Sequence, residues 1–248
     1  MTVRVDFIER GEVMENLSRR RFLAVAAGAL AAPSLLRRSE SVPAMFDHML
    51  LGINDLDRGI AFVEERTGVR AVFGGVHPGR GTRNALLALA GQRYLEIIAP
   101  DPAQHVASWF PELPQMLEPR LLGWAAHTDD IAALATKIRN AGFSIQGPAD
   151  GSRARPDGKT LRWKSFRLEA DQGGVLPFFI EWSRDSVHPS VDAPAGCRLI
   201  RFSAVSPQPA VLEATYWRLG VEVGVEHGER VQLRAKIASP NGEVELTS

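Results

Sequence analysis

Glu96 lies in the run Tyr94-Leu95-Glu96-Ile97-Ile98, and a carboxylate among apolar neighbours is costly to bury unless it is ion-paired, hydrogen-bonded or metal-bound. It is therefore the first candidate for chemistry. Phe178-Phe179-Ile180-Glu181-Trp182 sets Glu181 in a similar frame, and His48 stands in Phe46-Asp47-His48-Met49-Leu50-Leu51. The second candidate is Gly74-Gly75-Val76-His77-Pro78-Gly79-Arg80-Gly81-Thr82-Arg83-Asn84, whose glycines let backbone approach a ligand closely. The same string also reads as a glycine-rich hairpin connection. Cys197 is the only cysteine, which excludes an intramolecular disulfide and a CxxC motif and leaves it as a small hydrophobe near a strand start.

The elements that must position these residues repeat along the chain. From Phe46 a strand is followed by Asn54 and Asp55 as helix caps, a short helix over Ile60 to Arg66, and a stop near Gly68. Strands then read as Val69 to Gly75, Thr82 to Leu89 and Arg93 to Ala99, completing a βαβββ unit. After the proline-rich linker Pro100 to Pro119 the order returns: strand Leu121 to His127, helix Ile131 to Ala141, Gly142, and strands ending at Val175 to Trp182. Asp55 before the first helix corresponds to Asp130 before the second. A third, βαβββ-like copy follows Asp185 to Gly196, with strand Arg198 to Val205, helix Ala210 to Leu219, Gly220 and strands ending at Glu243 to Leu246. Its clearest signal is the period-two alternation from Val231 to Ile237.

One such unit cannot bury its sheet face alone, so two side by side curve into an incomplete barrel around a cleft, the default ligand site. The expected fold is α+β, with tandem modules over 45–100 and 120–183 forming one domain, 45–183. The third module, 184–248, covers a sheet surface of the pair or of a partner subunit in a homodimer.

Residues 1–44 read differently. Ser18-Arg19-Arg20-Arg21-Phe22-Leu23-Ala24 precedes an apolar, alanine-rich run to Leu36, the basic-then-apolar order of an export signal. The paired arginines resemble the twin-arginine consensus, and Ala29-Leu30-Ala31 supplies a peptidase site. The run is shorter than the roughly 20 residues that span a bilayer, so no stable membrane anchor is expected. The reading is export to the periplasm or beyond, with the start at Met1 or Met14. Formal charge is balanced at zero, which gives no electrostatic reason for a nucleic-acid partner and favours a small-molecule ligand.

The segment FDHMLLGINDLDRGIAFVEERTG resembles the opening strand and helix of the vicinal-oxygen-chelate, or glyoxalase-like, superfamily. The string from Gly74 to Asn84 resembles the GGxHxGxGTxN stretch of the glyoxalase-like domain family. The resemblance covers residues 44 to 183 well and the third module weakly.

It implies metal ligands on the first and last strands of each module: His48 and Glu96 in the first, Glu181 in the second. The position corresponding to His48 is Gly123, so the usual second histidine is missing, and His127 lies about 13 Å further along the strand. One histidine and two carboxylates suit Mn, Fe, Ni or Zn. An interior His48 hydrogen-bonded to Glu96, without metal, satisfies both residues equally well. Within the resemblance His77, Thr82 and Asn84 line the cleft, His188 closes it, and Glu96 or His77 serves as a base. Trp109, Trp124 and Trp163 are expected to pack in the core. Two functions stand side by side: a metal-assisted lyase, isomerase or dioxygenase acting on vicinal oxygens, and a metal-free module that binds or sequesters a small molecule.

Overall fold

The computed structural model describes residues 41–105, 110–155 and 157–248. The SRRRFLA stretch, the alanine-rich run and Trp109 lie outside them. The first module runs β1 (Phe46–Gly52), α1 (Leu56–Thr67), β2 (Val72–His77), β3 (Thr82–Ala88) and β4 (Tyr94–Pro100). The second runs β5 (Arg120–His127), α2 (Ile131–Asn140), β6 (Ile145–Ala154), β7 (Thr160–Leu168) and β8 (Phe178–Trp182).

Local chemistry sets the helix ends. Asp55 and Asp130 are N-caps, accepting from the Arg58 and Ala133 N–H groups at 2.9 Å each. Because Asp55 caps, α1 starts at Leu56, ahead of the expected Ile60. It stops where Gly68 turns left-handed at φ 74°.

The eight strands of the two modules share one sheet in the order β2-β3-β4-β1-β5-β8-β7-β6. In each module the first strand pairs parallel with the last, β1 with β4 and β5 with β8, and β1 pairs antiparallel with β5 to join the modules. Strands β2 and β6 stand at opposite ends of this order, yet they touch. The guanidinium of Arg153 on β6 donates to the Gly74 carbonyl on β2, so the sheet has curled almost into a barrel.

The third unit keeps the expected element order: β9 (Arg198–Ser206), α3 (Pro209–Leu219), β10 (Gly224–His227), β11 (Gln232–Ser239) and β12 (Gly242–Thr247). Its pairing differs from the first two modules. The sheet order is β10-β9-β11-β12, so β9 lies beside its immediate crossover partner and beside β11, while β12 forms the edge. This second sheet packs on the pair through shared core. Phe202 meets Phe46 at a 4.8 Å ring separation and Trp124 at 5.1 Å, and the Tyr216 hydroxyl donates to the Val175 carbonyl at 2.9 Å. Cys197 is buried beside this core, and burial pushes its thiol pKa up, as befits a packing residue. Among the described residues no helix is long and apolar enough to cross a membrane.

Candidate active-site cleft

Strand β1 sends Met49 and Leu51 into the main core and His48 and Leu50 into the cleft on the sheet's other face. Strict alternation would put Phe46 in the cleft, yet Phe46 lies in the core. The register explains this: Phe46 faces Ala126 and His48 faces Ala125, so Asp47 is an extra residue, a β-bulge. The bulge turns the Asp47 carboxylate alongside His48.

Asp47 is only 2% exposed. Its Oδ1 lies 2.6 Å from His48 Nδ1, and its Oδ2 accepts from Trp182 Nε1 at 3.0 Å and from His188 Nε2 at 3.3 Å. Burial opposes its ionisation, but the hydrogen bonds from His188 and His48 outweigh that and hold the carboxyl below the usual range. An ionised carboxylate only accepts, so His48 Nδ1 carries the hydrogen and the imidazole presents Nε2 to the cleft. Tyr94 stacks on the His48 ring at 4.5 Å and fixes its plane.

Glu96 projects from β4 opposite Leu50 on β1 and Leu86 on β3, 6% exposed on the cleft wall. Its Oε1 accepts from Asn84 Nδ2 at 2.8 Å. Two imidazole nitrogens flank it: His48 Nε2 is 3.6 Å from Oε2, and His77 Nε2 is 3.6 Å from Oε1. His77 closes β2, and its Nδ1 lies 2.9 Å from Thr82 Oγ1 at the start of β3. Burial lowers the His77 pKa, and Arg153 and Arg80 act in the same direction against the opposing charge of Glu96, so His77 is neutral at pH 7. His77, Thr82, Asn84, Glu96 and His48 thus all line one cleft. The Gly74 to Asn84 string is mostly strand, with only Pro78 to Gly81 left as the hairpin connection.

Other expected placements need correction. Glu181 is not in the cleft: its Oε2 accepts from the Ile131 N–H at 2.7 Å, at the start of α2. The residues of β8 that do line the cleft are Phe178, Ile180 and Trp182. Aligning the modules on Asp55 and Asp130 sets Leu50 against Ala125; Leu50 pairs with Glu96 and Ala125 with Phe178. The second-module counterparts of His48 and Glu96 are therefore Gly123 and Phe178, neither a ligand. His188 acts behind the wall as a partner of Asp47 and is not among the cleft-lining residues. Trp124 is core, as expected, and both it and Trp163 border the cleft, Trp163 with the Arg80 guanidinium 5.9 Å over its ring.

Members of the superfamily often hold a divalent metal, and the residues here do not fit one. His48, Glu96 and Glu181 do not converge, and one Glu96 oxygen is taken by Asn84. Among the described residues no group of three or more His, Cys, Asp or Glu side chains is arranged to hold an ion.

The empty space of the cleft, open solvent at its mouth included, is about 1030 Å³. Sequence reasoning missed Asp47 and Arg153. Asp47 carried a weak signal, a second ionisable residue beside His48 in an apolar strand, whereas Arg153, in a polar stretch of β6, carried none.

Paired βαβββ modules curled into one eight-stranded sheet around such a cleft define the fold of the vicinal-oxygen-chelate superfamily. Within it, residues 46–220 match the family model described as Glyoxalase-like domain, and the chain belongs to that family. Among curated proteins, none matches the chain. A hypothetical protein from Staphylococcus aureus superposes with TM-score 0.59 at 17% identity, covering 82% of this chain and 84% of that one. Methylmalonyl-CoA epimerase from Mycobacterium tuberculosis gives TM-score 0.44 at 23% identity, covering 58% of this chain and 91% of its own. A variant of the Streptomyces coelicolor epimerase, in complex with 2-nitronate-propionyl-CoA, gives 0.41 at 21%, covering 56% and 98%.

Proposed function

We propose that the protein is an isomerase or lyase that moves a proton on a small oxygen-bearing substrate, with Glu96 as the base and without a resident metal. One observation carries this reading: the buried Glu96 carboxylate on the cleft wall has an imidazole nitrogen 3.6 Å from each of its oxygens. The wall keeps competing water from the base, and the unprotonated Nε2 of His48 supplies a place for the proton. A C–H next to the substrate carbonyl gives its proton to a Glu96 oxygen, and the electron pair moves onto the carbonyl oxygen as an enolate. Returning the proton to the same or the adjacent carbon completes an isomerisation; loss of a β-substituent from the enolate completes an elimination. His77, neutral and held by Thr82, is placed to hydrogen-bond the developing oxyanion.

The test is hydrogen exchange in D2O, followed by NMR on a panel of small 2-oxo acids, 2-hydroxy ketones and thioesters. The expected result is C–H exchange of at least one compound, lowered about 10²- to 10⁴-fold by Glu96→Gln with binding retained. Binding without exchange would establish the second reading, a sequestering module. That reading is favoured by Gly123 and Phe178, which leave the second module without ionisable groups at the positions of His48 and Glu96.

A further inference from the structure

Arg153 is 5% exposed, and its one hydrogen bond goes to the Gly74 carbonyl; it has no ion-pair partner among the described residues. A buried guanidinium with no carboxylate in contact is expensive, and this one lines the cleft. Arg80 and Arg167 line it as well.

The other end of the cleft has a different character. Leu50, Ile98 and Leu122 form an apolar cluster separate from the main core, with Phe110 and Phe178 packed against it, and all five line the cleft. This floor belongs to the middle strands β1, β4, β5 and β8, whereas Arg153 stands at the seam where β6 meets β2. Glu96 is on β4, one strand face shared with Ile98, and feels the Arg153 charge.

We propose that the cleft takes an amphipathic carboxylate, its carboxylate on Arg153 at the seam and its alkyl or aryl body on the apolar floor. Arg153 supplies the attraction a lone carboxylate needs, by charge-assisted hydrogen bonds from a planar donor. This names the substrate class for the proton-transfer reading and rests on the same cleft, but binding of a saturated acid requires no proton transfer.

Calorimetric titration of the full chain tests it with matched probes: octanoate against 1-octanol, phenylacetate against 2-phenylethanol, and straight-chain acids from butanoate to decanoate. The expected result is a preference for each acid over its alcohol of about ten- to a hundredfold. Affinity should rise up to about fourfold per methylene until the floor is covered. Arg153→Gln should abolish the preference for the acid while leaving alcohol binding in place. If that variant does not fold, as a melting curve would show, Arg80→Gln should reduce the same preference. Acids and alcohols binding alike to the wild type, or no binding of any acid at any length, overturns the proposal. Acid preference without D2O exchange overturns the catalytic reading alone, and exchange without acid preference overturns this one alone.

Discussion

The guanidinium of Arg153 hydrogen-bonds to the carbonyl of Gly74, and this contact joins the two edge strands of an eight-stranded sheet. Glycine makes it feasible. A Cβ at Gly74 would stand 2.5 Å from Asn84 Oδ1 and 2.8 Å from Leu86 Cγ, and one at Gly75, where φ is 147°, would stand 2.6 Å from the Ala154 carbonyl. The glycine pair lets β6 lie against β2 and keeps Asn84 on Glu96.

Gly74→Ala is therefore expected to destabilise the fold by about 1–3 kcal/mol through overpacking, and to weaken ligand binding because Asn84 and Arg153 must both shift. Chemical denaturation and calorimetric titration with octanoate read the two effects. A variant as stable as the wild type with unchanged affinity would remove the seam from the account.

Glu181 occupies the N-terminus of α2, where a carboxylate satisfies an otherwise orphaned N–H and favours the helix dipole. Glu181→Gln should lower stability by about 1 kcal/mol and leave octanoate affinity and D2O exchange unaltered. Elemental analysis of wild type and variant should find no stoichiometric metal in either. A metal present in the wild type and lost in the variant would restore Glu181 as a ligand.

Asp47 has a folded pKa depressed below its ordinary value of 3.8, so the unfolded chain binds its proton first as pH falls. Its contribution to stability is full above that ordinary value and is lost on acidification below it, toward the folded value. Asp47→Asn should cost about 1–3 kcal/mol at neutral pH, because it removes the charge and replaces one accepting oxygen with an NH2 that faces the donors of His48 or of Trp182 and His188. It should also flatten the decline of stability below pH 3.8. Denaturation curves across that range check both, and an unchanged acid limb would show that Asp47 is not ionised in the fold.

We propose from Ser18-Arg19-Arg20-Arg21-Phe22-Leu23-Ala24 and Ala29-Leu30-Ala31 that the chain is exported by the twin-arginine route and matures near Ala32. Replacing Arg19 and Arg20 by Lys should retain the protein in the cytoplasm. N-terminal sequencing and fractionation decide it, and an unprocessed chain or undiminished export would refute the route.

What the sequence by itself determined is local. The βαβββ order, the caps at Asp55 and Asp130, the stop at Gly68 and the anomaly of Glu96 all depend on a residue and its near neighbours, so they were legible without coordinates. What the tertiary structure decided depends on register and closure. Strand faces alternate every residue, so a one-residue difference sends a side chain to the opposite face. This is why Glu181, alike in local context to Glu96, points to α2 while Phe178 takes the matching cleft position. The same rule, broken by one extra residue, brings Asp47 beside His48. In the third unit the element order was readable but the choice of neighbours for β9 was not, because pairing is settled by which strands share a core. Arg153 enters the site only because the sheet curls far enough for its last strand to meet its first, a closure that no stretch of the chain encodes alone.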